Sequence, residues 1–137
     1  MPAVKISSAN PAAELTFSDL EGSYYVVSFK GRAIQLAVKV YAIEGTGFKD
    51  TASLVKLFET MANNWKGWKG KLTWESLEGE MKIVAKSDSR GHAILDLTFQ
   101  DFLGQTPWSA DVELTLETMQ VEQAYRHLAK FFSKQIK

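Results

Sequence analysis

The sequence predicts an α+β domain: a single antiparallel sheet of about five to seven strands with two helices packed on one face, in the order strands, helix, strands, helix. Three observations carry this expectation. Apolar and polar residues alternate with a period of two through residues 23–42, 72–99 and 108–117. The period changes to that of an amphipathic helix over 50–65 and again over 118–136. The loops between successive strands are short, which forces neighbouring strands to run antiparallel. The two halves share a strand-strand-helix rhythm without a residue-level repeat.

Element by element, Ser7-Ser8-Ala9-Asn10-Pro11 reads as a turn and Leu15-Thr16-Phe17 as a strand. From Ser23 onward, Tyr25, Val27 and Phe29 share a face, and Lys30-Gly31 supplies a hairpin turn. In the next run Ile34, Leu36, Val38, Val40 and Ala42 point one way. Gln35, Ala37, Lys39 and Tyr41 point the other. Asp50 is placed to cap a helix reaching about Trp65, with the stripe Leu54, Val55, Phe58, Met61, Ala62 and Trp65. Gly67 stops it. Residues 72–86 are strand-like, but Gly79 interrupts them as a bulge or as a break into two strands. After the loop Ser87-Asp88-Ser89-Arg90-Gly91, the residues Ala93, Leu95, Leu97 and Phe99 face inward. The loop Leu103-Gly104-Gln105-Thr106-Pro107 leads to the cleanest alternation. Here Trp108, Ala110, Val112, Leu114 and Leu116 face in, and Ser109, Asp111, Glu113, Thr115 and Glu117 face out. Thr118 caps the final helix, whose stripe is Val121, Ala124, Tyr125, Leu128, Phe132 and Ile136.

Composition bounds the function classes. The 137 residues suit one domain spanning 1–137, and 45% hydrophobic against 23% charged residues is the balance of a globular protein. Sixteen basic and sixteen acidic residues cancel, so the chain has no overall attraction to nucleic acid or to an anionic membrane. Cysteine is absent, which excludes disulfides, thiolate metal sites and cysteine nucleophiles and suits a cytoplasmic location. Met1-Pro2-Ala3-Val4-Lys5 opens no signal-peptide run, and no apolar stretch approaches about 18 residues.

The most unusual segment is Trp65-Lys66-Gly67-Trp68-Lys69-Gly70-Lys71-Leu72-Thr73-Trp74, three tryptophans interleaved with three lysines. Indole faces beside ammonium groups suit stacking on bases or sugars, with lysines reaching phosphates. Nucleic-acid binding would require Lys66, Lys69 and Lys71 on one face with Trp68 exposed. The competing account puts Trp65 on the helix stripe and Trp74 on the sheet, with the lysines keeping the turn soluble. Trp68 belongs to no stripe and is expected to be the most exposed tryptophan.

Catalytic patterns are weak. His92 alternates onto the face of Ile94 and Asp96, and a His-Asp pair with Ser87 or Ser89 has the parts of a nucleophilic site. Serine and aspartate are equally what a hairpin loop needs. His127, beside Arg126 and Lys130, falls on the solvent side of its helix. Glu75, Glu78 and Glu80 lie between Lys71 and Lys82 and read as charge-paired strand faces rather than a cation loop. Gly45-Thr46-Gly47 lacks the length of a phosphate loop. The sequence names no catalytic residue, metal ligand or cofactor.

The run Trp65-x-Gly67-Trp68-x-Gly70, then Trp74-x-Ser76-Leu77-Glu78, Gly91-His92, Trp108 and a terminal helix ending Phe131-Phe132 resembles a family of small bacterial proteins of unknown function. The resemblance spans most of the chain. It implies a standalone bacterial domain with no activity to carry over, and a shared framework that includes the tryptophans, Gly91 and His92. The expected function is that of a non-enzymatic module binding a protein partner, of which immunity-type proteins are one form. Its candidate binding residues are Trp65, Lys66, Trp68, Lys69, Trp74 and Tyr41, with Tyr24 as a further exposed aromatic. The alternative is a small-ligand pocket lined by Trp65, Trp74 and Trp108. The sequence favours neither monomer nor homodimer.

Overall fold

Alternating runs pair with their nearest neighbours in sequence, because short loops leave no other partner within reach. The computed structural model describes residues 3–9, 12–21, 24–41, 50–76, 78–88, 90–101 and 106–133. β1 (Val4–Ala9), β2 (Ala12–Glu21), β3 (Tyr24–Lys30) and β4 (Gln35–Tyr41) form one antiparallel meander. Helix α1 (Asp50–Asn63) follows. β5 (Leu72–Glu75), β6 (Met81–Ser87), β7 (Ala93–Asp101) and β8 (Trp108–Leu116) then form a second meander, closed by α2 (Thr118–Ser133).

The expected single sheet of five to seven strands is therefore corrected to two four-stranded antiparallel sheets. Two features produce the difference. Residues 4–21 supply two full strands where the pattern showed one short run, with Ala9 opposite Ala12 and Val4 opposite Phe17. Gly79, at φ 80°, turns the chain between β5 and β6, so the interrupted run is two strands. Helix α1 separates β4 from β5, and β5 pairs with β6 rather than extending the first sheet.

The inward faces follow the alternation except at Ile34, which is expected inside but lies in the β3–β4 turn and is 38% exposed. Leu15, Phe17, Tyr25, Val27 and Val40 in the first sheet are fully buried, as are Ile83, Leu95, Leu97 and Phe99 in the second. They belong to one core, across which the Phe29 and Phe99 rings lie 6.4 Å apart. Each large apolar side chain removed from water contributes about 1.5–3 kcal/mol. The helices pack on each other, α2 along β1 and α1 along β5. Phe132 of α2 meets Tyr25 at 5.1 Å and Phe17 at 6.3 Å, both edge to face. Tyr125 on α2 donates its hydroxyl to Glu59 of α1 at 3.2 Å, and that carboxylate raises the Tyr125 pKa.

Local details refine the expectations. The β3–β4 turn spans Gly31–Ile34, closed by the Gly31 N–H donating to the Ile34 carbonyl. Helix α2 is capped not by the Thr118 hydroxyl but by Gln120, whose Oε1 accepts the Glu117 N–H as in a capping box. On β8 the phase holds, but Trp108, Ala110 and Val112 are only half-buried, and burial is complete at Leu114 and Leu116, next to α2. Expectations for Asn10-Pro11, Ser23, Ala42, Gly45-Thr46-Gly47, Leu77, Ser89, Leu103-Gly104-Gln105 and Ile136 lie outside the described residues. Among the described residues no helix is long and apolar enough to cross a membrane.

Candidate interaction surface

Helix α1 ends before its apolar stripe is complete. The Asn64 N–H donates to the Thr60 and Met61 carbonyls, and its side-chain amide donates to Thr60 at 2.7 Å. The Gly67 N–H then returns to the Asn64 carbonyl at 2.8 Å. This closure rotates Trp65 off the stripe, and its side chain is 54% exposed, contrary to its expected place against the sheet. The Lys66 ammonium lies 5.4 Å from the Trp65 ring centroid, so indole and cation form one unit.

The turn that follows is pressed onto the second sheet. Gly67 has φ 122°, and a Cβ there would stand 3.0 Å from Ser87 Oγ, so only glycine fits. Trp68 is the reverse of its expectation. It is half-buried against the core and donates its indole N–H to the Ala85 carbonyl at 3.3 Å. Trp74, on β5, is buried in the core. The expected aromatic pocket is not assembled, since Trp74 lies inside and Trp65 outside. A small recess near Trp65 and Trp68, bordered by Met61, Gly91 and Val121, measures ≈ 10 Å³. A water molecule needs at least that much, roughly 10–15 Å³.

The hairpin after β6 supports this turn from beside it. Asp88 Oδ1 accepts the backbone N–H groups of Arg90 and His92, both at 2.8 Å, while Oδ2 lies 2.9 Å from His92 Nδ1. The His92 N–H is the main reason that the Asp88 carboxyl is held below the ordinary carboxylate pKa. His92 thus pairs with Asp88, not Asp96. Asp96 faces Lys86 at 3.7 Å, and Ser87 Oγ donates to the Asp88 carbonyl. Gly91, at φ 83°, brings the hairpin against α2, where the Thr118 hydroxyl donates to its carbonyl at 3.3 Å. The next residue, Met119, is 72% exposed.

Turn 64–71, hairpin 87–92 and the start of α2 thereby meet. Trp65 and Met119 stand out from the junction, and Lys66, Lys69, Lys71 and Arg90 are exposed around it. Among the described residues none of these four cations has an ion-pair partner, whereas Lys5, Lys56, Lys86 and Arg126 are each paired within 3.7 Å. The half-burial of Trp68 withholds the second indole that stacking on a nucleic acid would call for.

Tyr41 is elsewhere. Its ring lies 4.9 Å from that of Tyr24, with Lys39 over Tyr24 at 4.7 Å. Its N–H donates to Glu80 Oε2 at 3.0 Å, at the Met81 end of β6, whereas Trp68 is bonded near the Ser87 end. Those ends are about 20 Å apart at the rise of a strand.

Glu80 is the residue that sequence reasoning misassigned. Its Oε1 accepts the Ser76 hydroxyl at 2.7 Å while Oε2 takes the Tyr41 N–H, so it ties the β5–β6 turn to the edge of the other sheet. Glu75 and Glu78 are exposed and make no ion pair with Lys71 or Lys82 among the described residues. No group of three or more His, Asp or Glu among the described residues is placed to hold a metal. His127 borders a cleft of ≈ 190 Å³ between β1 and α2, together with Lys5, Ser7, Gln120 and Gln123. There Gln120 donates to the Ser7 carbonyl at 2.8 Å.

These features define a two-sheet α+β fold carrying an exposed indole and thioether, with Lys66 against the indole and further exposed cations on the adjoining turn and hairpin. The chain belongs to the family of unknown function DUF6228, whose model matches residues 6–135. No curated protein and no solved structure matches the chain.

Proposed function

We propose that this protein is a non-enzymatic module of the bacterial cytosol that binds a protein partner, and that the partner docks on the surface around Trp65 and Met119. One observation carries the reading. Two large apolar side chains stand in water on a junction fixed by hydrogen bonds that Trp68 and Thr118 donate and Asp88 accepts. Leaving such a side chain exposed forgoes about 1.5–3 kcal/mol of burial, which a partner recovers on binding. Tryptophan is enriched among interface anchors, and methionine adapts to irregular partner surfaces. The rigid support lowers the ordering cost of association. The use of His92 and Asp88 within a turn, rather than in an open cleft, supports the non-enzymatic part. The lack of cysteine supports the cytosolic part, and the resemblance of the Trp-Gly-Trp segment to small bacterial proteins supports the bacterial one.

The test is affinity capture from the source cells with wild-type protein, Trp65→Ala and Met119→Ser, read by quantitative mass spectrometry. The expected outcome is a protein retained by the wild type and lost from both variants at unchanged melting temperature. Identical retention by all three overturns the reading.

A further inference from the structure

We propose that the segment docking on this surface is acidic and carries an apolar side chain, so that carboxylates meet Lys66, Lys69, Lys71 and Arg90 while the apolar group lies against Trp65 and Met119. This rests on the reading of the Trp65 surface as a docking site and adds the chemistry of the partner. Residues 64–71 contain three lysines and no acid. The carboxylate of Asp88 in the neighbouring hairpin is directed into its own turn, onto the Arg90 and His92 N–H groups. The first turn of α2 has no acidic residue; the acids at its margin are Glu117, just before it, and Glu122, which is paired with Arg126 at 2.7 Å. The surface is thus positive on a chain whose net charge is zero, a local bias placed around the exposed apolar groups.

Two other occupants fit less well. A second copy docking through the same patch would set these cations against one another, because a two-fold contact pairs a surface with itself. A nucleic acid is served by rows of indoles, and here Trp68 is turned inward onto the Ala85 carbonyl. A protein segment uses both the thioether and the indole, with the cations as a rim that speeds association and selects the partner's sign.

The experiment is a fluorescence-anisotropy titration of the full chain with labelled synthetic probes. These are an alternating Glu/Leu peptide, its Gln/Leu and Lys/Leu counterparts, and a single-stranded DNA oligonucleotide of equal charge. The Glu/Leu peptide is expected to bind about tenfold or more tighter than either counterpart and to weaken severalfold between about 50 mM and about 300 mM salt. The double variant Lys66→Glu/Arg90→Glu, with unchanged melting temperature, is expected to lose that advantage. Lys82→Glu, on the outer face of β6, is expected to keep it. Equal binding of the Glu/Leu and Gln/Leu peptides, or salt-independent binding, overturns the acidic assignment. Trp65→Ala separates the two readings. If it abolishes charge-indifferent binding, the docking surface stands and the acidic partner falls; if it leaves the Glu/Leu peptide bound, the docking surface itself falls. Preferential binding of the oligonucleotide, or self-association through the patch in sedimentation, also overturns the proposal.

Discussion

At the scale of single residues, the same side-chain type takes opposite roles within ten positions. Trp74 is core, Trp68 is half core and half hydrogen-bond donor, and Trp65 is surface. Alanine substitutions should therefore separate in thermal and chemical denaturation. Trp74→Ala is expected to cost about 3–5 kcal/mol, the range for aromatic side chains lost from a core. Trp65→Ala is expected to stay within about 0.5 kcal/mol, as surface changes do. A similar loss for both would remove the distinction on which the interaction surface rests. Asp88 makes the second residue-scale prediction. Its folded pKa lies below the ordinary 3.8, mainly through the His92 N–H. The stabilisation it provides is thus present above pH 3.8 and is lost as pH falls through the lowered value. Asp88→Asn should be less stable than the wild type near neutral pH, and the gap should close as pH falls through the lowered value; a gap that widens as the solution is acidified would reverse the sign.

At the scale of elements, alternation located faces better than it located depth. On β8 every inward residue is on the predicted side, yet only Leu114 and Leu116 are fully buried, while Val112 is half-buried at a sheet edge. Leu114→Asp is accordingly expected to unfold the domain, because it sets an unpaired charge in the core. Val112→Asp should be clearly milder, and Glu113→Ala close to neutral. Circular-dichroism melts of the three variants provide the check, and equal melting temperatures for Leu114→Asp and Glu113→Ala would refute the register. The helix end follows its expectation more closely. The Asn64 N–H is shared between the Thr60 and Met61 carbonyls in the last helical turn, and the Gly67 N–H then returns to the Asn64 carbonyl, so the helix stops at Asn63 and the turn is complete at the expected glycine.

At the scale of the whole molecule, two meanders share one core, and specific polar contacts join them. Glu80 is the clearest, since one carboxylate serves Ser76 in its own sheet and the Tyr41 N–H in the other. Glu80→Ala leaves that N–H and the Ser76 hydroxyl without their acceptor, and is expected to cost about 1–3 kcal/mol. Glu80→Gln, which keeps an acceptor oxygen, should cost less. Hydrogen exchange gives a local readout: the Tyr41 amide should exchange faster in Glu80→Ala, and unchanged protection would show that the clamp is not what shields it.

From the amino-acid order alone, the α+β class, the helical segments, the phase of the long strands and the oddity of the 65–74 segment are all legible. Each depends on interactions between residues close in sequence, whose periods of two and 3.6 leave a direct imprint. The grouping of strands into two sheets, the exposure of Trp65 in place of Trp68, and the pairing of Glu80 with Tyr41 depend on contacts between distant segments. Gly67 meeting Ser87, Gly91 meeting Thr118 and Glu80 meeting Tyr41 leave no periodic trace in the chain. The closure at Asn64–Gly67 and the bond from Trp68 to the Ala85 carbonyl, neither of which has a period, decided which tryptophan stayed in water.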